Sequence, residues 1–224
     1  RSAERPYPEP DSWAYPLDHP TGYVEDSDIE LWSHQQEALE AWIANGCVGL
    51  LNMATGSGKT VTALIAAESR PNIQLLVIAV PTKNLVEQWN EELRAVTGFP
   101  EPILVYESSA LWQDRLFRKI RSRHQQEWPQ PLVVIGSMAS LSGDRFQSVL
   151  ADAGLPEHSM LIVDEVHNVG APTRQRILDP GFSMRLGLSA TPERPYDEEG
   201  SEAINAYFDK EVYAYTMREA LDDN

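Results

Sequence analysis

Cysteine is almost missing. Cys47 is the single one in 224 residues, so an internal disulfide is excluded and no Cys/His set for zinc can be assembled. A reducing compartment is then the simplest location, the cytoplasm or, in a eukaryote, the nucleus, with Cys47 itself expected to be a small buried hydrophobe. Long apolar runs are missing as well: none approaches the roughly 18 residues that cross a bilayer, so no membrane segment is expected. Nor does the chain open on a basic-then-apolar signal segment, and Arg1 in place of an initiator Met leads us to expect a fragment or processed piece of a longer protein. Positive charge is scarce, with 18 Lys and Arg against 34 Asp and Glu and a formal net charge of −16. That balance argues against a general polyanion-binding surface, so any nucleic-acid contact has to be local. The remaining composition is ordinary for a globular chain, 42% hydrophobic and 23% charged. At about 100–200 residues per domain, the length allows one domain or slightly more.

Against this background one stretch stands out, Val48 to Thr60, VGLLNMATGSGKT. The apolar run Val48–Leu51 reads as a buried strand, and Lys59-Thr60 open an apolar-periodic run that reads as a helix. Between them lies a glycine-interrupted loop. Gly56 and Gly58 permit backbone angles and close approaches that a side chain blocks, so successive N–H groups can curl around a phosphate at the helix N-terminus. Lys59 supplies a point charge for the terminal phosphates, and the Thr60 hydroxyl is placed to ligate Mg²⁺. The expected nucleotide cradle is therefore Thr55, Gly56, Ser57, Gly58, Lys59 and Thr60. The strict pattern begins with Gly, and Met53 holds that place here.

Upstream, Arg1 to Asp28 carries five prolines, Pro6, Pro8, Pro10, Pro16 and Pro20, and no periodicity, so it reads as a linker or strap that Trp13, Tyr15 and Tyr23 could dock. From Ile29 the spacing of Leu31, Gln35, Ala38, Leu39, Trp42 and Ile43 predicts a helix stopped by Asn45-Gly46, with Ser33 as its cap and Gln36 in the reciprocal position. Gln35 would lie beside the strand that begins the loop. Its amide can pair with N7 and N6 of adenine, or it is a solvated surface residue. Downstream, Leu75–Val80 and Leu132–Ile135 are uninterrupted apolar runs alternating with helices, the pattern of a parallel sheet buried on both faces. Ala110–Gln126 is read as a helix carrying Arg115, Arg118, Lys119, Arg121, Arg123 and His124, either a solvated face or a patch for nucleic acid or a partner.

The second decisive stretch is Met160–Val163 running into Asp164-Glu165-Val166-His167. Two carboxylates at the carboxyl end of a buried parallel strand sit where such sheets bind ligands, and acids buried there need a cation. Asp164 can hold Mg²⁺ directly or through water, while Glu165 can orient and deprotonate an attacking water. Met184–Leu188 is expected as the last sheet strand, followed by Ser189-Ala190-Thr191. An acidic loop over 197–202, a short helix over 203–208, a strand over 211–215 and the start of a further helix complete the chain.

Together these blocks resemble the first RecA-like lobe of superfamily 2 helicases and translocases, from Ile29 onward. ATGSGKT (54–60) matches motif I, PTKNLVEQW (81–89) motif Ia, VVIGSMASL (133–141) the Ib region, VDEVH (163–167) motif II and LGLSATPER (186–194) motif III. Within the superfamily the look is of the xeroderma-pigmentosum-B and type III restriction-subunit types. The resemblance implies an α/β fold, a RecA-like P-loop NTPase lobe with a mostly parallel sheet and helices on both faces. It divides the chain into a strap over 1–28, the lobe over 29–210, and from 211 the start of a connection to a second lobe outside this sequence. It implies ATP and Mg²⁺ as cofactors, with Glu165, Asp164 and Lys59 as the catalytic set. Pro81, Thr82, Lys83 and Ser137 would contact tracking-strand phosphates, and His167, Ser189 and Thr191 would couple nucleotide state to lobe closure. Members usually carry Leu-Arg-x-Tyr-Gln where this chain has Leu31-Trp32-Ser33-His34-Gln35. The absence of a Thr-Pro-Gly-Arg block and the DEVH form of motif II favour DNA over RNA. The expected activity is that of an ATP-driven DNA helicase or duplex translocase. The alternatives are an RNA helicase lobe and a nucleotide-gated module that docks a protein partner through its Pro-rich strap.

Overall fold

The structure, a computed structural model, describes residues 30–106, 112–124, 130–171, 173–190 and 198–222. The expected N-terminal strap and Thr191 lie outside them. Seven strands form one sheet: β1 (Val48–Met53), β2 (Leu75–Val80), β3 (Ile103–Val105), β4 (Leu132–Ser137), β5 (Ser159–Val163), β6 (Met184–Ser189) and β7 (Glu211–Tyr215). Their order is β3-β4-β2-β5-β6-β1-β7, and every adjacent pair is parallel. The expected fold class is therefore the observed one.

Side-chain alternation along the strands divides the interior in two. On β2, Leu75, Val77 and Ala79 belong to one apolar cluster and Leu76, Ile78 and Val80 to the other. The second cluster takes in Ala38 and Trp42 of α1 (Ser33–Ala44), Leu64 of α2 (Lys59–Glu68), and Val86, Trp89 and Leu93 of α3 (Lys83–Val96). The first takes in Leu116 of α4 (Gln113–Arg123), Leu141 of α5 (Met138–Leu141), Phe146 of α6 (Asp144–Ala153) and Ile204 of α7 (Glu198–Phe208). Each sheet face is thus sealed by helices, which is why the strands are continuous apolar runs instead of alternating ones.

Several expected boundaries move. The cap of α1 is Trp32, one residue before Ser33: Gln35 Oε1 accepts the Trp32 N–H at 2.9 Å, so the reciprocal residue is Gln35 and not Gln36. The tertiary engagement of Gln35 described below selects that register. The segment read as an acidic solvated loop over 197–202 is already helical from Glu198, with Gly200 buried. Beyond residue 210, β7 pairs with β1 as the sheet's edge strand, and α8 (Met217–Asp222) follows it.

Candidate functional site

Parallel pairing puts all strand C-termini on one edge, and the chain changes direction there at β1, β5 and β6. In register, Val163 of β5 lies beside Gly187 of β6, which lies beside Leu50 of β1. The loop after β1 and the turn after β5 therefore emerge on the same edge, separated by β6 and its terminal Ser189. In the loop, Gly56 and Gly58 have φ of 84° and 79°, in the left-handed region. A Cβ on Gly58 would lie 2.2 Å from Gln35 Nε2, whereas one on Gly56 would meet nothing within 4 Å. Glycine is thus required by conformation at both and by packing only at Gly58. Met53 needs no such freedom: it is an extended strand residue, fully buried, which explains why a methionine replaces the pattern's first glycine.

α1 braces this loop from behind. Gln35, 4% exposed, donates from Nε2 to Gly58 O at 3.3 Å, and His34 Nε2 lies 2.9 Å from Ser57 O. The His34 ring stacks on Tyr215 of β7 with centroids 4.0 Å apart. Ser57 Oγ donates to Ala54 O at 2.8 Å, tightening the turn. Lys59 Nζ donates to Met53 O at 2.9 Å, which draws the ammonium back over the end of β1. Thr60 follows on the first turn of α2, half-buried, and Thr55 and Gly56 are exposed.

Asp164 is 9% exposed and each of its oxygens has one fixed donor. Oδ1 accepts the Glu165 N–H at 3.0 Å, and Oδ2 accepts the indole N–H of Trp89 at 3.0 Å. Burial pushes its pKa above the usual carboxylate value. The Trp89 and Glu165 bonds and the nearby charges of Lys59 and His167 oppose that shift. The Lys59 charge thus acts on an acid more than 100 positions further along the chain. Glu165 itself sits at φ 47°, an uncommon conformation for a residue with a Cβ and one concentrated at functional sites.

His167 belongs to the turn that follows, Val166–Gly170. Its Nδ1 lies 3.4 Å from Glu165 Oε2 and 3.4 Å from Ser189 Oγ, and Asn168 Nδ2 lies 3.1 Å from its Nε2. The ring thus stands between Asn168 on one side and Glu165 and Ser189 on the other. His167 and Ser189 are thereby brought together with Glu165.

Farther along the edge, Thr82 caps α3 with its side chain accepting Leu85 N–H at 3.5 Å, and Thr82 and Lys83 are exposed. Lys83 Nζ stands 4.8 Å from the centre of the Tyr106 ring. Ser137 ends β4, 9% exposed, and its hydroxyl caps α5 through Ser140 N–H. The ends of β2 and β4 are adjacent, so these residues form one strip on the same sheet edge, next to the end of β5. The basic residues of α4 are not part of it. Arg115, Arg118, Lys119 and Arg121 are exposed on a helix packed against α6, while Arg123 is buried.

Sequence reasoning gave no role to Trp89, His34 or Tyr215. Trp89 carried a usable signal, since a tryptophan on the inner face of an amphipathic helix needs an acceptor for its N–H. The His34–Tyr215 stack joins positions far apart in the chain and left no local trace.

Comparisons with known proteins agree with this architecture. A candidate DNA 3'-5' helicase, Rad25, of Halobacterium salinarum is 32% identical over 174 residues, covering 78% of this chain and 25% of its own length. The DNA 3'-5' translocase XPB2 of Sulfurisphaera tokodaii is 29% identical over 174 residues, covering 74% of this chain and 32% of its own. This chain therefore spans a third or less of either relative. Among solved structures, the Type ISP restriction-modification enzyme LlaGI, in complex with a DNA substrate mimic, superposes with a TM-score of 0.64 at 19% identity, over 87% of this chain and 20% of that one. The family pattern described as type III restriction enzyme, res subunit, matches residues 28–194, and the chain belongs to that family.

Proposed function

We propose that this chain is the nucleotide-binding first motor lobe of an ATP-driven DNA helicase or duplex translocase. The observation that carries the reading is the convergence of Lys59, Asp164, Glu165 and His167 on one sheet edge, with Lys59 close enough to Asp164 to oppose its raised pKa. The donor set suits a magnesium nucleotide. The first amides of α2 have no partner inside the helix, two left-handed glycines precede them, and the facing groups are a hydroxyl and carboxylates, all hard oxygens. When bound, Mg²⁺ would neutralise charge on the nucleotide's phosphates.

Each residue then has a task. Gly56, Ser57 and Gly58 shape the cradle, with Thr55 at its open side, and Gln35 fixes the loop while standing beside the place of the base. Lys59 turns from the Met53 carbonyl to the terminal phosphates. Thr60 and Asp164 would hold the metal, and Glu165 would take the proton of the attacking water. His167, with Ser189 and Thr191, relays the state of Glu165 towards a second RecA-like lobe elsewhere in the same polypeptide. Pro81, Thr82, Lys83 and Ser137 hold nucleic-acid phosphates. DNA is favoured over RNA because the relatives are named for DNA.

The test is made on the full-length protein. Glu165→Gln should retain ATP binding while turnover collapses, and duplex DNA should stimulate the wild-type ATPase more than single strands or RNA at a stated salt concentration. Near-normal turnover by Glu165→Gln removes that residue from its role, and stimulation by RNA alone replaces the substrate.

A further inference from the structure

The hydrogen bond from Trp89 to Asp164 joins two elements that the reading above treats separately, the helix behind the nucleic-acid strip and the metal-binding acid. Trp89 is 1% exposed and belongs to the same apolar cluster as Val86, Leu93 and Leu64. A hydrophobe of similar shape would serve that packing equally well. What the indole adds is a donor, and the donor meets Asp164 Oδ2 at 3.0 Å. The Glu165 N–H already occupies Oδ1 at 3.0 Å. With one donor fixed on each oxygen, the carboxylate can rotate neither about its own axis nor away from the sheet edge. One lone pair on each oxygen remains, of roughly four in all.

We propose that Trp89 is a positioning residue for the metal–nucleotide site: its N–H holds the Asp164 carboxylate in the rotamer that presents a lone pair towards Thr60 and Lys59. The inference rests on Asp164 being the metal ligand. Bonds of this outer kind orient the ligand and set its affinity, and their loss costs about 10- to 100-fold in metal affinity or activity. Trp89 follows Lys83 by six residues of α3, about 9 Å at 1.5 Å per residue. The helix that offers its first turn to nucleic acid therefore also carries the anchor of the metal-binding acid.

The test replaces Trp89, in the full-length protein, with β-(3-benzothienyl)alanine, an isostere carrying sulfur in place of the indole N–H. Trp89→Phe is a second variant, and Leu93→Val, on the same helix and equally buried, controls for lost packing. ATPase rate is measured against Mg²⁺ concentration with saturating duplex DNA, and binding of a fluorescent ADP is measured with Mg²⁺ and with EDTA. Positioning predicts that both Trp89 variants need about tenfold more Mg²⁺ for half-maximal rate, while ADP affinity in EDTA stays within about twofold. Leu93→Val should leave the Mg²⁺ curve in place. Superimposable Mg²⁺ curves for the wild type and the benzothienyl variant overturn the role of Trp89, and so does an equal shift in Leu93→Val. A wild-type protein whose nucleotide binding ignores Mg²⁺ overturns instead the underlying reading of Asp164.

Discussion

Replacing Gly58 and Gly56 by alanine, one at a time, separates backbone strain from packing in the nucleotide loop. Both glycines are left-handed, at φ 79° and 84°, and alanine in that region costs about 1–2 kcal/mol. At Gly56 nothing lies within 4 Å of the added methyl, so strain is the whole cost. At Gly58 the methyl would fall 2.2 Å from Gln35 Nε2 and must displace that amide. Displacement breaks the bond from Trp32 N–H to Oε1 and the bond from Nε2 to Gly58 O. At about 1 kcal/mol net for each bond, Gly58→Ala should cost about 3–4 kcal/mol in all. In a Gln35→Ala background the amide is already gone, and Gly58→Ala should fall back to the cost of strain, a coupling of about 2 kcal/mol. Urea unfolding followed by circular dichroism reads the wild type and the four variants. Equal costs for Gly56→Ala and Gly58→Ala, or an unchanged cost of Gly58→Ala without Gln35, would refute the brace between α1 and the loop.

Other outcomes follow from the same structure. Tyr215→Ala removes a 7% exposed ring stacked on His34 and should destabilise by about 3 kcal/mol in unfolding measurements, with weaker nucleotide binding because the support of Ser57 loosens. Lys59→Ala should change stability by less than about 1 kcal/mol, since its bonds to Met53 O and Ala54 O are half-exposed, yet abolish nucleotide affinity in a fluorescence titration. Burial raises the Cys47 thiol pKa, with Arg70 opposing the shift. Iodoacetamide should therefore label native protein more slowly than urea-unfolded protein at pH 8. The stability associated with the neutral thiol is full below the unfolded value, about 8.5, and declines as pH rises through the higher native value. Relative to Cys47→Ala, wild type should thus lose stability only at alkaline pH.

Much of the fold was legible because it is carried by local pattern. Continuous apolar runs such as Leu75–Val80 announce strands buried on both faces, and Gly-Ser-Gly-Lys-Thr between a strand and a helix announces a phosphate loop. The order of the strands was not legible: that β6 separates β1 from β5, placing Ser189 between the two halves of the site, is a property of pairing. The start of α1 was misplaced by one residue because the cap is chosen by Gln35 reaching the loop, a contact over 20 positions away that local capping chemistry does not contain. Glu198–Glu202 read as a loop from its charge and glycine, yet it opens a helix whose Ile204 and Phe208 are buried in the core, so tertiary packing outweighed local preference. Asp164 and Glu165 were legible as acids at a strand end, and the bond that aims Asp164, from Trp89, was not.

The most direct measurement is a crystal structure of the protein with ADP and Mn²⁺, the metal located by its anomalous signal. The account predicts phosphate within the turn 55–60, the metal about 2.0–2.2 Å from Thr60 Oγ1, and Asp164 bound to that metal directly or through one water. A nucleotide seated away from this turn, or a metal whose neighbours include neither Thr60 nor Asp164, would contradict it.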